Sequence, residues 1–364
     1  MDIQSLYQDA VGLLKQLIVT PSFSKEEDRT AAIIEVFLKD RDIPADRSLN
    51  NVWCRNKYFD PAKPTILLNS HHDTVRPNPQ YTKDPFAAIE EEGKLFGLGS
   101  NDAGGCLVSL IAAFCYFYGK QDLNYNIVLA ATAEEEISGS NGIESLLPEL
   151  PPVSFAIVGE PTQTNLAIAE KGLLVLDCIA TGRAGHAARE EGENALYKAM
   201  QDIEWFRTYQ FPRVSGTLGA VKMSVTSIHT ANKAHNIVPA SCSFIVDVRV
   251  TDAYTHEEIL ETIKQNVRSD VRPRSMRLRS SSIPIDHPLV QSGIRLGKTT
   301  YGSPTTSDAA LINAPVLKCG PGDSARSHTA DEFIYLKEIR EGIDTYIGIL
   351  STVLVTNSKP QTSN

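Results

Sequence analysis

Basic surplus is missing from this sequence. Its 364 residues carry 35 Lys and Arg against 44 Asp and Glu, a formal net charge of -9. A nucleic-acid-binding surface needs the opposite balance, so no nucleic-acid partner is expected. The one basic cluster, Arg272, Arg274, Arg277 and Arg279, has mostly alternate spacing and reads as a solvated strand face rather than a phosphate site. No apolar run reads as long enough to span a bilayer, so no membrane partner is expected either. The segment MDIQSLYQDAVGLLKQL lacks the basic start and apolar block of a signal peptide. Low-complexity tracts and internal repeats are also lacking. None of the six cysteines forms a C-x-x-C pair. Most lie in apolar runs and read as buried free thiols, which implies a reducing, cytoplasmic setting.

What is present is ordinary globular composition, with 42% hydrophobic and 22% charged residues. The length favours two domains. Residues 5–19 read as an amphipathic helix. Ser24 and Glu27 read as a capping box that opens a second helix near 25–40. The apolar runs 65–69, 126–132 and 154–158 read as core strands. The stretch 90–99 reads as two short strands turning at Glu92-Gly93. Helices are expected at 104–118, apolar along nearly its whole length, and at 139–147. Strands alternating with helices predict an α/β sheet with helices on both faces. Strands at 173–181 and 242–250, with helices near 193–208 and 256–268, form a different pattern. The expected division is therefore 1–170 with 281–364 as one domain, and 171–280 as a second domain inserted into it.

Five segments bring His, Asp and Glu to strand ends, where ligands bind in open α/β sheets. In His71-His72-Asp73, alternate residues face one way. One of His71 and Asp73 can then bind a metal while the other completes a hydrogen bond to the ring. Gly97-Leu98-Gly99-Ser100-Asn101-Asp102 begins like a dinucleotide fingerprint, but an acid stands at the sixth position and would repel pyrophosphate. An acid in a glycine-rich loop instead suits a cation. Glu134-Glu135-Glu136 ends an apolar strand, where three carboxylates are costly unless something positive lies near, although a solvated helix start also attracts acids. Glu160, within Gly159-Glu160-Pro161, ends another strand. Gly320-Pro321-Gly322 precedes Ser327-His328-Thr329-Ala330-Asp331-Glu332. Together these supply mixed nitrogen and oxygen ligands that suit zinc, with cobalt or manganese as substitutes. There is no G-x-S-x-G, and His256-Glu257-Glu258-Ile259 is followed by Leu260, so no H-E-x-x-H forms. Histidines 72, 229, 235, 256 and 287 read as packing or surface residues.

The order of these motifs resembles the metallopeptidase family of acetylornithine deacetylases, succinyl-diaminopimelate desuccinylases, aminoacylases and carboxypeptidase G-type enzymes. Gly182-Arg183-Ala184-Gly185-His186 and Asn236-Ile237-Val238-Pro239, followed by Asp247-Val248-Arg249, are similar to its lid motifs. The resemblance implies a zinc-exopeptidase-like α/β catalytic domain, a mixed sheet flanked by helices, with an inserted α+β lid and dimerisation domain. It implies two zinc ions, one completed by His71 and Glu160, the other by Glu136 and His328, with Asp102 bridging. It makes Glu135 the general base, Asp73 the support of His71, and His186 the oxyanion donor, usually supplied by the partner subunit. Asn236, Arg249, Gly320 and Gly322 would hold the substrate carboxylate. Two features depart from the family's pattern. Ala103-Gly104 replaces the common Met-Lys, and Glu134 replaces Asp, which leaves Glu134 as the base if the loop register shifts. The implied activity is hydrolysis of an N-acyl-L-amino acid, foremost N-acetyl- or N-succinyl-L-ornithine in arginine biosynthesis. Succinyl-diaminopimelate or a dipeptide is the alternative substrate, and a non-catalytic metal-binding relative the alternative of another class.

Overall fold

The computed structural model describes residues 2–189 and 191–355. The chain divides into two compact units. One comprises Met1–Ile168, Ser282–Tyr301 and Ser307–Asn364, and the other Ala169–Ser281 with Gly302–Thr306. The five-residue loop 302–306 thus groups with the second unit, outside the span expected for the insertion. Residue 1 and residues 356–364, part of the expected catalytic segments, lie outside the described residues.

In the first unit the apolar runs become a mixed sheet. Seven of its nine strands run in the order Asp46–Ser48, Asn51–Arg55, Asn126–Thr132, Thr65–His71, Val153–Val158, Val316–Lys318 and Leu166–Glu170. Thr65–His71 is parallel to both its neighbours; Asn126–Thr132 is parallel to it and antiparallel to Asn51–Arg55, and both strands are buried along their whole length. Strands covered on both faces need no polar alternation, which is why they read as continuous apolar runs. Their side chains still alternate between two cores. Ile66, Leu68, Ile127, Leu129 and Ile157 join the larger cluster, while Leu67, Val128, Ala130, Ala156 and Val158 join the smaller one. The larger cluster is closed by helices Ile3–Ile18, Gly105–Tyr118 and Leu336–Leu354, which pack on one another.

The structure corrects several expectations. By length and composition Ser100–Tyr118 is apolar enough to cross a membrane, contrary to the reading of the sequence. Its most apolar stretch is 89% buried, and it serves as the core helix of this unit. The second helix spans Asp28–Lys39 without a capping box: Ser24 Oγ donates to Asp73 instead, and the N-cap Glu27 caps nothing through its side chain. The expected 139–147 helix is shorter: one α-helical turn, Ile143–Leu146, followed by the 3-10 turn Leu147–Glu149.

The second unit is a four-stranded antiparallel sheet in the order Lys222–His229, Ser241–Val250, Gly172–Thr181 and Asp270–Pro273. The long strands bury alternate residues, so one face is covered. Helices Ala195–Thr208 and His256–Asn266 contribute to that core, through residues that include Ala199, Phe206, Ile259 and Ile263. The strand Lys222–His229 was not foreseen. It lies at the sheet edge and is half-buried or exposed, so it lacks the apolar repeat that marks the others. Arg274 pairs with Asp177 and Arg272 with Asp270, consistent with a solvated face.

Candidate metal and catalytic site

Six side chains meet at the carboxyl ends of the central strands of the first unit. His71 ends the strand Thr65–His71, and Glu135 and Glu136 follow Asn126–Thr132. Glu160 follows Val153–Val158, Asp102 comes from the turn before the core helix, and His328 from the loop after Val316–Lys318. Asp102 stands between the histidines. Its Oδ1 lies 3.4 Å from His71 Nε2 and its Oδ2 3.6 Å from His328 Nε2. Glu160 Oε1 and Glu135 Oε2 lie 3.8 and 3.9 Å from His71 Nε2. Glu136 Oε2 lies 3.0 Å from His328 Nε2.

These spacings suit metal ligands. Donors about 2.0–2.2 Å from a tetrahedral ion are roughly 3.3–3.6 Å from one another. His71, Asp102 and Glu136 offer donor atoms that all lie within 4.8 Å of each other. His71 Nε2 is buried and makes no hydrogen bond among the described residues, though carboxylates surround it. A buried nitrogen lone pair aimed at carboxylates is costly without a cation between them. The residues present therefore fit a metal centre with Asp102 shared between two positions.

Charge tells the same story. Burial lifts Glu135 well above the usual carboxylate range; Glu160, Asp308 and Glu136 add to the rise, and His71 opposes it. Burial and Asp102 raise Glu136, against the hydrogen bond from His328. The Glu136 hydrogen bond pushes His328 up to about 9. For Asp102, burial is outweighed by hydrogen bonding and charge from His71, which hold it below its ordinary value. A carboxylate cluster this dense takes up protons unless cations neutralise it.

Three further carboxyl groups, all buried, support the site. Asp73 Oδ1 lies 3.3 Å from His71 Nδ1, but the ring nitrogen is closer, at 3.0 Å, to the Asp73 carbonyl oxygen. Donation from Nδ1 to that oxygen leaves the Nε2 lone pair for a metal. The Asp73 carboxylate also accepts from the N–H groups of Glu135 and Glu136 at 3.1 and 3.2 Å, and from Ser24 Oγ at 2.6 Å. It thereby holds the turn that carries both glutamates. Glu332 does the same for Asp102. It accepts from the N–H groups of Gly99, Asn101 and Asp102 at 3.2, 2.9 and 2.9 Å. Burial and the Asp102 charge push Glu332 up to about 8. Asp308 accepts from Thr132 Oγ1 at 2.7 Å, and burial raises it to about 6. The reading of the sequence assigned no task to Glu332 or Asp308. The motif containing Glu332 was visible; its task was not, because three-residue adjacency says nothing about a loop 230 residues away.

Register is settled by contacts. Glu134 adopts φ 55° and turns away from the cluster, its Oε1 accepting from Asn141 Nδ2 at 2.9 Å. Glu135, not Glu134, faces His71. Gly320 differs from its expected role. It is buried, and its N–H donates to Thr162 Oγ1 at 3.0 Å, so it has no amide free for a substrate. A Cβ there would lie 2.6 Å from Cys106 Sγ and 2.7 Å from the Glu160 carbonyl oxygen, so this glycine allows the strand-end loops to meet. Gly322, also buried, has φ 86°, and a Cβ there would lie 2.5 Å from Asn101 Oδ1. It too permits close packing.

His186, Asn236 and Arg249 belong to the second unit. Gly185–His186 pairs with Ile237–Val238, and Ala187 N–H donates to the Asn236 carbonyl at 2.9 Å. His186 is exposed, and its Nδ1 accepts from the Ala188 N–H at 3.1 Å. In the neutral ring this puts the proton on Nε2, so His186 presents a hydrogen-bond donor. Arg249 binds both oxygens of Asp247, at 2.9 and 3.0 Å.

Histidine and shared carboxylate donors at strand ends, with a half-buried glutamate beside them, are the equipment of a metal-dependent hydrolase. Residues 67–352 match the model of Peptidase family M20/M25/M40, and the chain belongs to that family. Among curated relatives, succinyl-diaminopimelate desuccinylase of Orientia tsutsugamushi (strain Ikeda) is 24% identical over 97% of this chain and 98% of its own length. Acetylornithine deacetylase of Proteus mirabilis is 26% identical over 89% of this chain and 91% of its own. The fold is similar to that of an M20 family metallo-carboxypeptidase from Sulfolobus solfataricus, with TM-score 0.76, 16% identity and coverage of 94% and 99% of the two chains. It is also similar to a dinuclear metal-binding M20 peptidase from Bacillus subtilis, with TM-score 0.71, 14% identity and coverage of 97% and 100%.

Proposed function

We propose that the protein hydrolyses the amide bond of an N-acyl-L-amino acid, with N-acetyl- or N-succinyl-L-ornithine as substrate and L-ornithine as product, in arginine biosynthesis. The observation that carries this reading is the arrangement of Asp102 between His71 and His328 with Glu135 alongside. Two zinc ions, for which cobalt or manganese could substitute, would be held by His71 and Glu160, by Glu136 and His328, and by Asp102 between them. Metal ions in such a site polarise the scissile carbonyl and acidify the attacking water.

The protein's own part centres on Glu135. Its carboxylate accepts the proton of the attacking water and returns it to the leaving amine nitrogen, for which its burial-raised basicity is suited. Asp73 fixes the backbone of Glu135 and Glu136 so that the one transfers the proton while the other remains a ligand. We assign oxyanion stabilisation to His186 Nε2–H, supplied by a partner subunit, an effect worth about 3–4 kcal/mol in comparable sites. Arg249 and Asn236 are assigned to the substrate carboxylate. The proposed homodimer forms through the second unit. The edge position of Lys222–His229 and the exposed Tyr197 and Met200 on the helix Ala195–Thr208 support this. Six free, buried cysteines support a reducing, cytoplasmic location.

Succinyl-diaminopimelate is the second reading, favoured by the desuccinylases among the relatives. The test is amine release from a panel of N-acetyl and N-succinyl derivatives of ornithine and diaminopimelate, plus dipeptides, with zinc or cobalt added and with chelator controls. Chelator-sensitive release from one acyl-ornithine establishes the first reading. Release from succinyl-diaminopimelate alone replaces it, and release from dipeptides alone makes the protein a peptidase.

A further inference from the structure

The turn that carries Glu135 opens with four consecutive backbone N–H groups, at residues 133 to 136. The geometry assigns each of them to a buried side chain. Ala133 N–H donates to Asn51 Oδ1 at 2.9 Å, Glu134 N–H to Glu27 Oε1 at 3.2 Å, and Glu135 and Glu136 N–H to Asp73 at 3.1 and 3.2 Å. We propose that Glu27 is a positioning residue for Glu135: its buried carboxylate fixes the peptide at which the chain turns from the strand Asn126–Thr132 into the proton-transfer position. The inference rests on the reading of Glu135 as the general base.

Glu27 is unusual for a residue at the start of a surface helix. It is wholly buried. Its Oε1 also accepts from Lys25 N–H at 2.6 Å, and its Oε2 from Asn50 Nδ2 at 2.8 Å. Burying a carboxylate is costly, and three donors directed at it offset that cost. The donors come from its own loop, from the 49–51 turn and from the Glu135 turn, so this one group links all three. Its carbonyl oxygen accepts from Thr30 Oγ1 at 3.0 Å. Thr30 Oγ1 lies 2.9 Å from His72 Nδ1, and His72 Nε2 lies 2.9 Å from the Asn50 carbonyl oxygen. The strand end with His71 is therefore tied to the same hub.

The turn needs outside support because its own conformation is unfavourable. Glu134 takes φ 55° and Ser138 φ 50°, left-handed values that non-glycine residues rarely adopt. Strain of this kind persists only where surrounding contacts over-determine the backbone. Asp73 anchors the two residues after the bend, and Glu27 anchors the residue at the bend. A 1 Å displacement of a reacting group costs on the order of 100-fold in rate.

The test uses the full-length, metal-loaded protein with Glu27→Gln, Asn50→Asp and the double variant. Glutamine offers Lys25 and Glu134 only a neutral oxygen, a weaker acceptor than a carboxylate, and its NH2 group meets the Asn50 NH2, which drives the side chain out of position. The double variant restores a donor–acceptor pair, since the new carboxylate accepts from the glutamine. The expected result for Glu27→Gln is a 10- to 100-fold lower kcat on N-acetyl-L-ornithine, with KM within about twofold and metal content unchanged. The double variant recovers most of that loss. Independently of turnover, amide hydrogen exchange in the chelated protein loses protection at Glu134, whose N–H is the one held by Glu27, in Glu27→Gln and regains it in the double variant. Unchanged protection overturns the proposal, and so does unchanged kcat in a protein that is active. Glu135→Ala run in parallel separates the two ideas. If Glu135→Ala retains turnover, the base assignment has failed; if it is dead while Glu27→Gln is normal, the positioning role alone has failed. If no substrate in the panel is turned over, the exchange result decides.

Discussion

Replacing Glu332 by glutamine separates the scaffolding of Asp102, the bridging ligand of the proposed metal pair, from Asp102 itself. Glu332 Oε1 accepts from the N–H groups of Asn101 and Asp102, and Oε2 from that of Gly99. Glutamine retains one oxygen for the first two and turns an NH2 group toward the third. One buried donor is then left unmatched, at about 1–3 kcal/mol. Glu332→Ala leaves all three unmatched, about 3–9 kcal/mol on the same scale, a large share of the stability of a typical domain. The assay is urea denaturation of the chelated protein. Trp53 lies in the first unit and Trp205 in the second, so a Trp205→Phe background lets fluorescence report the first unit alone. Glu332→Gln should lower stability by about 1–3 kcal/mol and Glu332→Ala by at least twice as much. Zinc titration should show weaker binding in both variants, because the Asp102 backbone is no longer fixed. Stability within about 0.5 kcal/mol of wild type for both variants, with unchanged zinc affinity, would refute the reasoning.

Other expectations follow from particular contacts. His328→Ala should remove one of two bound metal equivalents in elemental analysis with little effect on folding, since His328 is exposed and its ring pairs with Asp102 and Glu136 of the site. Gly139→Ala should cost a few kcal/mol in denaturation and slow turnover, because the new methyl group would lie 2.0 Å from Glu134 Oε2 beside the turn that carries Glu135. His256 is buried at the start of the helix His256–Asn266, with Nε2 3.3 Å from the Leu173 carbonyl oxygen, and burial lowers its pKa. The unfolded chain therefore binds a proton that the folded chain resists. Stability should fall as pH drops below 6.5, the ordinary histidine value, and His256→Gln should flatten that fall in thermal melts; an unchanged slope would count against it.

Much of this architecture was legible because it follows from local pattern. The strands Asn126–Thr132 and Thr65–His71 are continuous apolar runs that end in chemistry-bearing residues, which is what a doubly covered parallel strand looks like in sequence. The His, Asp and Glu side chains that gather at the strand ends were legible for the same reason. Less visible were side chains whose partners lie far along the chain. Ser24 and Glu27 have capping-box spacing, yet Asp73, Asn50 and the Glu135 turn claim them instead. A local rule loses when a buried site offers stronger partners. Gly320 looked like a substrate-facing turn, but its amide is spent on Thr162, a contact between segments 158 residues apart. The edge strand Lys222–His229 escaped notice because half-exposed edge residues carry no clear repeat.

The central claim is that Glu135 moves the proton while neighbouring residues hold two metals. The direct measurement is metal stoichiometry and single-turnover rate of Glu135→Ala beside wild type, on the acyl amino acid that the panel identifies. The account predicts two metal equivalents in both proteins and a rate lower by at least about 1,000-fold in the variant, a general-base loss at the upper end of the usual range. A rate within tenfold of wild type, or a variant that no longer binds two metals, would contradict it.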